Sequence, residues 1–379
     1  MNAERLHALV LGIQKDLQAT GAVTALQQLR DSLQNQVNSP QEPSYQQQIT
    51  ATLRKLEAAL PNAPSNLFPP TWRELLQEVG AADVLGTALL DHLTGIFQRN
   101  QITPTAALDE VKPLFIRLEQ LQTAVQSLLA GFQSLNIASE ELEPGDVELG
   151  ILIPRDAVDN KLLEFGQELT KLNGTLAVFT EVAGDGRPGF ELRTISSSGL
   201  SVFLHVSPAV GACIAVAIER VVALYKQLLE IRKLRSELEG QGVPASALLQ
   251  VDEHANMHMQ HGLDPVVEEL IDRYWRGNEQ HRRNELRTEL RNALHAIANR
   301  IDAGYNLEVR TTPPTPEEGE ASDAQGRDDF GAIQGASANM RFLRPQGRPI
   351  LSLPEVADVN GGGAGTAGDD HSATARRRR

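Results

Sequence analysis

The chain is poor in cysteine and in aromatic residues, with one Cys and 4% Phe, Trp and Tyr. A lone Cys213 excludes a disulfide framework and a cysteine-based zinc site, and it is typical of a reducing compartment, so we expect a cytoplasmic protein. No apolar run approaches the roughly 20 residues that a membrane-spanning helix needs, which argues against an integral membrane protein. Glu4 and Asp16 interrupt the apolar residues at the start of the chain, where no small-residue cleavage site is present, so we predict no signal peptide.

Basic residues are also in the minority. Lys and Arg number 35 against 49 Asp and Glu, which gives a net charge of −14 at pH 7. This charge disfavours extended binding to nucleic acid, because the phosphates require a basic surface. The exception is a basic run at the end of the chain, formed by Arg376, Arg377, Arg378 and Arg379. We therefore expect other proteins or a second copy of the chain as partners, and nucleic acid only through this run.

Most of the chain carries apolar residues at spacings of three and four, which predicts a mainly α fold. Proline and glycine breaks separate N-terminal helices at 1–60, a proline-rich linker at 61–70, a helical region at 71–135, an α+β unit at 144–207, further helices at 208–303 and a disordered tail at 304–379. Thr71 and Glu74 fit a capping box, which predicts the start of the helix that follows the linker.

Two segments, 114–135 and 217–238, repeat their apolar residues at heptad spacing. Each predicts a helix about 33 Å long. Because the segments have equal length and flank the α+β unit, we predict an antiparallel coiled-coil pair with that unit at its tip. In the alternative, each helix packs separately within a helical bundle. The seam residues expected to contact a partner are Leu121, Leu128, Leu224, Leu228 and Ile231.

Between the two heptad segments the apolar period changes from helical spacing to alternation. Residues 147–153 predict a strand and residues 158–172 predict a helix. Three further runs, at 175–183, 190–196 and 200–206, predict strands, and the short turns between them require antiparallel neighbours. The prediction is a small inserted βαβββ unit.

Residues 184–189 match the G-x-G-x-x-G spacing of a dinucleotide-binding loop. Such a loop needs a helix directly after it, so that the helix N-terminus faces the pyrophosphate. A predicted strand follows here instead, so we interpret the segment as a hairpin loop. No G-x-x-x-x-G-K-[ST] or H-E-x-x-H motif is present, and we predict no cofactor and no catalytic residues.

Three histidines, His254, His258 and His261, are spaced to share one helix face. Imidazole nitrogens are ligands for zinc or nickel, so this face is the candidate metal site. In the alternative, His258 and His261 lie in the last turn of a helix that Gly262 ends, where imidazoles interact favourably with the carbonyl end of the helix dipole.

The tail at 304–379 is rich in proline, glycine and polar residues, which predicts disorder. Residues 340–353 form an apolar and basic island within it, where Phe342 and Leu343 are candidate partner-binding residues. The island either folds on binding an acidic partner or docks on this protein's own acidic body. The first alternative predicts that truncation after Ala303 leaves the melting temperature unchanged.

Three functions are compatible with these features. The first is a non-enzymatic scaffold or adaptor that associates through its heptad helices and recruits partners. The second is a ligand-responsive sensor that binds a small anionic molecule in the α+β unit, with Ser207, Arg193 and His205 as candidate ligand contacts. The third is a metal-dependent enzyme that uses the histidine face. A cavity of about 300 Å³ or more with convergent polar groups would favour the sensor.

Overall fold

The computed structural model describes residues 3–100, 102–184, 186–196, 200–312, 314 and 324–355. These residues are mostly helical and include one antiparallel sheet of four strands. The helices are α1 (Ala3–Thr20), α2 (Ala22–Asn38), α3 (Pro43–Ala59), α4 (Pro70–Glu78), α5 (Gly86–Arg99), α6 (Pro104–Ser134), α7 (Leu162–Val182), α8 (Pro208–Gly240), α9 (Ala245–Tyr274), α10 (Gln280–Asp302) and α11 (Ala324–Asn339). The strands are β1 (Val147–Ile153), β2 (Glu191–Ser196), β3 (Leu200–Val206) and β4 (Asn306–Thr311).

Two hydrophobic cores divide the described residues into two modules. The N-terminal module consists of α1 to α6, and its core includes fully buried Leu26, Leu29 and Leu93. The sheet module consists of the sheet, α7 to α11 and the segment at 340–355, around a core that includes Leu149, Phe179 and Tyr225. The mainly helical fold with a small sheet is therefore confirmed.

The two long heptad helices do not form the predicted pair. Helix α6 packs mainly against α1, α2 and α5, whereas α8 packs mainly against α9, α10 and α11. Leu228 of α8 is buried in the core of its own module, and Leu224 and Ile231 are partly buried against that core. Each helix thus packs within its own module, as in the alternative interpretation of the heptads.

The seam of α6 is divided between the core and the surface. Val125 and Phe132 are buried in the N-terminal module, and Leu121 is half-buried against the same core. Leu128 and Leu135, which follow Leu121 at seven-residue intervals, are 45% and 71% exposed. The second half of α6 therefore presents an apolar stripe that none of the described residues covers.

The predicted strand at 175–183 is wrong, because residues 175–182 form the second half of α7 and Ala183 is its C-cap. Its β-branched residues suggested a strand. The buried residues Leu172, Leu176, Phe179 and Val182 nevertheless follow one another at spacings of three and four, so they form one helical stripe against the core.

The fourth strand comes from the region predicted to be disordered. The strand order is β2-β3-β1-β4, and β4 pairs antiparallel with β1. Leu307 and Val309 of β4 are buried on the core side of the sheet. The unit is therefore not a contiguous βαβββ insertion, since its sheet is completed by residues that follow α10.

The prediction of disorder is also wrong for α11 and for the apolar island. Helix α11 packs against α8 and β4. In the extended segment at 340–355, Leu343 and Ile350 are buried in the core of the sheet module and Phe342 is half-buried. The island therefore docks on its own chain, which was the second alternative. Residues 356–379, with the four terminal arginines, lie outside the described residues.

Helix α8 is, by length and composition alone, long and apolar enough to cross a membrane. However, 67% of its most apolar stretch is buried inside the protein. Core helices of globular proteins meet the same criteria of length and composition, so α8 is weak support for a membrane span.

Candidate ligand-binding site

The two faces of the sheet differ in polarity because residues alternate along β1 and β4. Val147 and Leu149 point to the core of the sheet module, and Glu148 points to the opposite face. In the pairing register Glu148 lies between His205 of β3 and Arg310 of β4. The N-terminal module covers this second face, so charged side chains become buried between the modules.

Arg5 of α1 joins the N-terminal module to the sheet. Its Nη1 and Nη2 donate hydrogen bonds to the two carboxylate oxygens of Glu148, at 3.1 and 2.7 Å. Nη2 also donates to Glu140 at 2.8 Å. Arg5 and Glu148 are 5% and 1% exposed, so their charges depend on each other for neutralisation. A bidentate pair of this kind also fixes the orientation of α1 on the sheet.

Gly150 lies two residues after Glu148 on β1, on the same face of the sheet, and its lack of a side chain leaves space for Phe203 and Glu308. A Cβ atom at Gly150 would lie 3.0 Å from Cε1 of Phe203 and 3.1 Å from Cγ of Glu308. The Phe203 ring in turn stacks under the Arg5 guanidinium, whose Cζ lies 3.3 Å from the ring centroid. Glycine at position 150 therefore allows the Phe203 ring and the Glu308 side chain to pack closely on either side of β1.

Glu308 of β4 caps the N-terminus of α4 from the other module. Its Oε2 accepts a hydrogen bond from the Thr71 amide at 2.9 Å. The predicted capping box is not formed, because α4 begins at Pro70 and Thr71 is therefore not its N-cap, and Glu74 pairs with Arg344. Burial raises the pKa of Glu308, although the Thr71 contacts and the charge of Arg310 act in the opposite direction.

Arg310 is the least satisfied charge at this interface. It is 9% exposed, and burial lowers its pKa. Its Nη2 lies 3.1 Å from Oε1 of Glu148, but not in hydrogen-bond geometry. Within the described part of the chain, no group accepts a hydrogen bond from Nε or Nη2 of Arg310.

These two nitrogens form the side-on edge of the guanidinium, which is suited to two parallel hydrogen bonds to one carboxylate or phosphate. The same edge of Arg282 binds Glu181 in this protein, with distances of 2.6 and 2.7 Å. At Arg310 the edge is buried and has no such acceptor among the described residues.

A cavity of about 400 Å³ lies beside Arg310, between the two modules. We call it the polar cavity. It is lined from the N-terminal module by Arg5, Thr71, Trp72, Glu74, Leu75 and Glu78, and from the sheet by Leu152, Ser196, Ser201, Phe203, Glu308 and Arg310. Its volume is typical of small-molecule sites, and its walls combine two aromatic rings with guanidinium, carboxyl and hydroxyl groups.

The residues predicted to contact a ligand do not line this cavity. Ser207 caps α8, since its hydroxyl accepts from the Val210 amide at 3.4 Å. Arg193 pairs with Asp146 at 2.8 Å. His205 is half-buried on β3, opposite Glu148 and Glu191. The structure therefore places the polar groups of a candidate site elsewhere on the same sheet.

The histidine face lies in the middle of α9, which continues through Gly262 to Tyr274. A Cβ atom at Gly262 would lie 2.6 Å from a methyl group of Leu224, so this glycine permits close packing of α9 on α8 and does not end the helix. His254 and His261 are exposed and His258 is half-buried. Within the described ranges, no three His, Cys, Asp or Glu side chains are grouped so that they can hold a metal ion.

The sequence contained only part of the signal for the polar cavity. Glu148 is the second residue of a correctly predicted strand, and an acidic residue among its apolar residues marks a face that is not simply core. Glu308 and Arg310 alternate with Leu307 and Val309, which is a strand pattern hidden in the region predicted to be disordered. No local signal connects Arg5 with them, because the contact is determined by the packing of the modules.

No protein-family model, curated protein or solved structure matches the chain. The chemistry of the site is therefore argued from its own residues.

Proposed function

We propose that this protein is a ligand-responsive sensor, in which a small anionic molecule binds in the polar cavity between the two modules. The observation that carries the proposal is the Arg310 side chain, which lines the cavity and whose buried side-on edge has no hydrogen-bond acceptor among the described residues. A carboxylate or phosphate would supply two acceptors in the geometry that this edge requires. Leaving buried donors unsatisfied costs free energy, so an anion that reaches them gains affinity.

The position of the cavity supports a response to the ligand. Its walls come from both modules, so a bound anion would contact α4 and the sheet at the same time. The modules are otherwise held by contacts such as the Arg5 and Glu148 pair. A ligand that binds the closed arrangement better than a separated one shifts the population towards the closed arrangement.

Calorimetric titration of the full chain with inorganic phosphate and with succinate tests this function. We expect binding and a rise in melting temperature, since a ligand at 100 times its Kd stabilises the fold by about 2.7 kcal/mol. Arg310→Gln should abolish binding, whereas Arg193→Gln, which removes an ion pair away from the cavity, should preserve it. Circular dichroism establishes that both variants are folded. Absence of binding by both anions and by the longer carboxylates titrated below, or equal binding to Arg310→Gln, would refute the proposal.

A scaffold function is supported by a separate observation, the exposed stripe of α6. Leu121, Leu128 and Leu135 become progressively more exposed towards the end of the helix, while Val125 and Phe132 remain in the core. We propose that a second copy of the chain covers this stripe by packing its own α6 against it, because heptad-spaced leucines on one helix match the same positions on another.

Light scattering over a range of protein concentrations tests the association. Leu128→Asp combined with Leu135→Asp should give monomers, and the exposure of both residues makes the variant compatible with folding. Leu162→Asp is the matched control, since Leu162 is 86% exposed on α7 and outside the stripe. A wild-type chain that stays monomeric at high concentration contradicts the scaffold proposal and leaves the sensor proposal unaffected.

A further inference from the structure

A second cavity, of about 530 Å³, lies beside the polar cavity. We call it the apolar cavity. Its apolar walls come from both modules and include Ala8, Pro64, Phe68, Leu142, Val309 and Ile333. Polar groups occur at its borders, among them Lys15 and Glu141, which form an exposed ion pair at 2.8 Å. This cavity therefore offers an apolar chamber next to the charged groups of the interface.

The two cavities share Trp72 and Arg310, which line both of them. The Arg310 guanidinium lies 5.9 Å from the centroid of the Trp72 ring. A molecule bound to Arg310 is consequently adjacent to the polar walls on one side and to Phe68, Val309 and Ile333 on the other. Lys15 and Glu141 at the border of the apolar cavity pair with each other, whereas the side-on edge of Arg310 has no hydrogen-bond acceptor among the described residues.

We propose that the ligand is an amphiphilic carboxylate, with its acidic head on Arg310 and its hydrocarbon part in the apolar cavity. This proposal rests on the proposed sensor function and adds the class of the ligand. Phe68 and Trp72 pack edge to face with centroids 5.1 Å apart, so they provide a preformed wall for an alkyl or ring system. The carboxylate supplies the acceptors for Arg310, and burial of the hydrocarbon supplies additional affinity.

Titration of the full chain with butyrate, hexanoate, octanoate and decanoate measures the contribution of the hydrocarbon. Each methylene that enters the apolar cavity should tighten binding roughly fourfold, so each two-carbon step should tighten it roughly fifteenfold. 1-Octanol has the same hydrocarbon without the charge, and we expect it to bind far more weakly than octanoate. Equal affinity for all four acids would overturn the proposal, and so would tighter binding of 1-octanol than of octanoate.

A variant in the wall of the apolar cavity tests where the hydrocarbon lies. Gln334 of α11 is half-buried and lines the apolar cavity but not the polar one. Gln334→Trp should reduce the increase in affinity from butyrate to decanoate and leave the affinity for butyrate unchanged. The control Gln334→Ala should keep the full increase in affinity. An unchanged chain-length dependence in Gln334→Trp would place the hydrocarbon elsewhere and overturn the proposal.

The outcomes separate this inference from the proposed function. If phosphate, succinate and all four acids bind with similar affinity and Arg310→Gln abolishes binding, the sensor function stands and the amphiphilic ligand does not. If none of these anions binds, the polar cavity is not an anion site and both proposals fail.

Discussion

Arg232 of α8 and Asp302 at the end of α10 form a buried ion pair, with 2.6 Å between Nη1 and Oδ1. Asp302 is 0% exposed and its other carboxylate oxygen accepts the amides of Ile350 and Leu351, both at 2.6 Å. Arg232 Nε donates to the Gln346 carbonyl at 2.9 Å. One ion pair thus joins two helices of the sheet module to the segment at 340–355.

We expect Asp302→Ala to reduce the free energy of unfolding by about 3–5 kcal/mol, because it leaves the buried Arg232 charge without its partner. Urea denaturation measures the effect. Glu110→Ala, which breaks an exposed pair with Arg99, is the control and should change stability little. Replacing both members, as Arg232→Met with Asp302→Leu, should recover part of the loss. A double variant as unstable as Asp302→Ala would show that the contacts to the C-terminal segment, and not the unpaired charge, dominate.

Ile350 and Leu353 attach the C-terminal segment to the core, since they are 3% and 4% exposed. Substitution of either by alanine should cost about 2–5 kcal/mol, which is the range for large-to-small changes in a core. The control Arg348→Ala concerns a side chain that is 80% exposed and should melt like the wild type. Truncation after Asn339 should lower the melting temperature by several degrees, and an unchanged value would mean that the segment is not part of the fold.

His295 should make stability depend on pH. Its Nδ1 donates to the Pro354 carbonyl at 3.0 Å, and burial, with a smaller contribution from Arg291, lowers its pKa below the ordinary value. The unfolded chain then binds a proton more readily than the folded one, so stability is lost as the pH falls through about 6.5.

Thermal melts between about pH 5.5 and 7.5 of wild type and His295→Gln test this dependence, because glutamine keeps a donor for the carbonyl and does not titrate. His295→Gln should lose less stability than wild type as the pH falls from about 7.5 to about 5.5. His281→Gln replaces an exposed histidine and should retain the wild-type dependence. Identical profiles for wild type and His295→Gln would be evidence against the prediction.

Glu308 should have the opposite effect on the pH profile. Its pKa is raised, mainly by burial, so the folded state holds the proton more tightly than the unfolded state. Stability therefore falls as the pH rises through about 4.5 towards the folded-state pKa. Glu308→Gln keeps an acceptor for the Thr71 amide and should be more stable than wild type at pH 7, with the difference vanishing near pH 4.

Glu74→Gln is the matched control for Glu308→Gln, because Glu74 lines the same cavity but is partly exposed and paired with Arg344. It should not raise the melting temperature at pH 7. If Glu308→Gln were less stable than wild type at pH 7, the charge of Arg310 would outweigh burial at this carboxyl.

The helices that the sequence predicts well have long stripes of apolar residues at spacings of three and four, which match the helical period and not the alternation of a strand. Residues 104–134 and 208–240 are single helices, and the stripes at their centres were identified from spacing alone. The error at 175–183 arose because β-branched residues favour strands, while burial of Phe179 and Val182 on the stripe that begins at Leu172 outweighs that preference.

Strand β4 and the candidate site were not predictable in the same way. A strand of six residues with two buried apolar side chains, Leu307 and Val309, has too little pattern to identify it without its partner β1. Arg5, Glu148 and Arg310 lie in three distant parts of the chain, and each alone resembles an ordinary surface charge. Their contact depends on how the modules pack, which local spacing does not encode.

The central position of β1 has a consequence for biosynthesis. Its β4-facing edge stays unpaired until residue 311 has been made, because the neighbouring strand follows α10 in the chain. At about 5–20 residues per second, this interval lasts on the order of ten seconds. During it, a nascent chain exposes a strand that contains Leu149 and Ile151, and such an edge readily pairs with the same edge of another chain. Ribosomes that translate one message in close succession would therefore bring unfinished sheets together at the stage when they associate most easily.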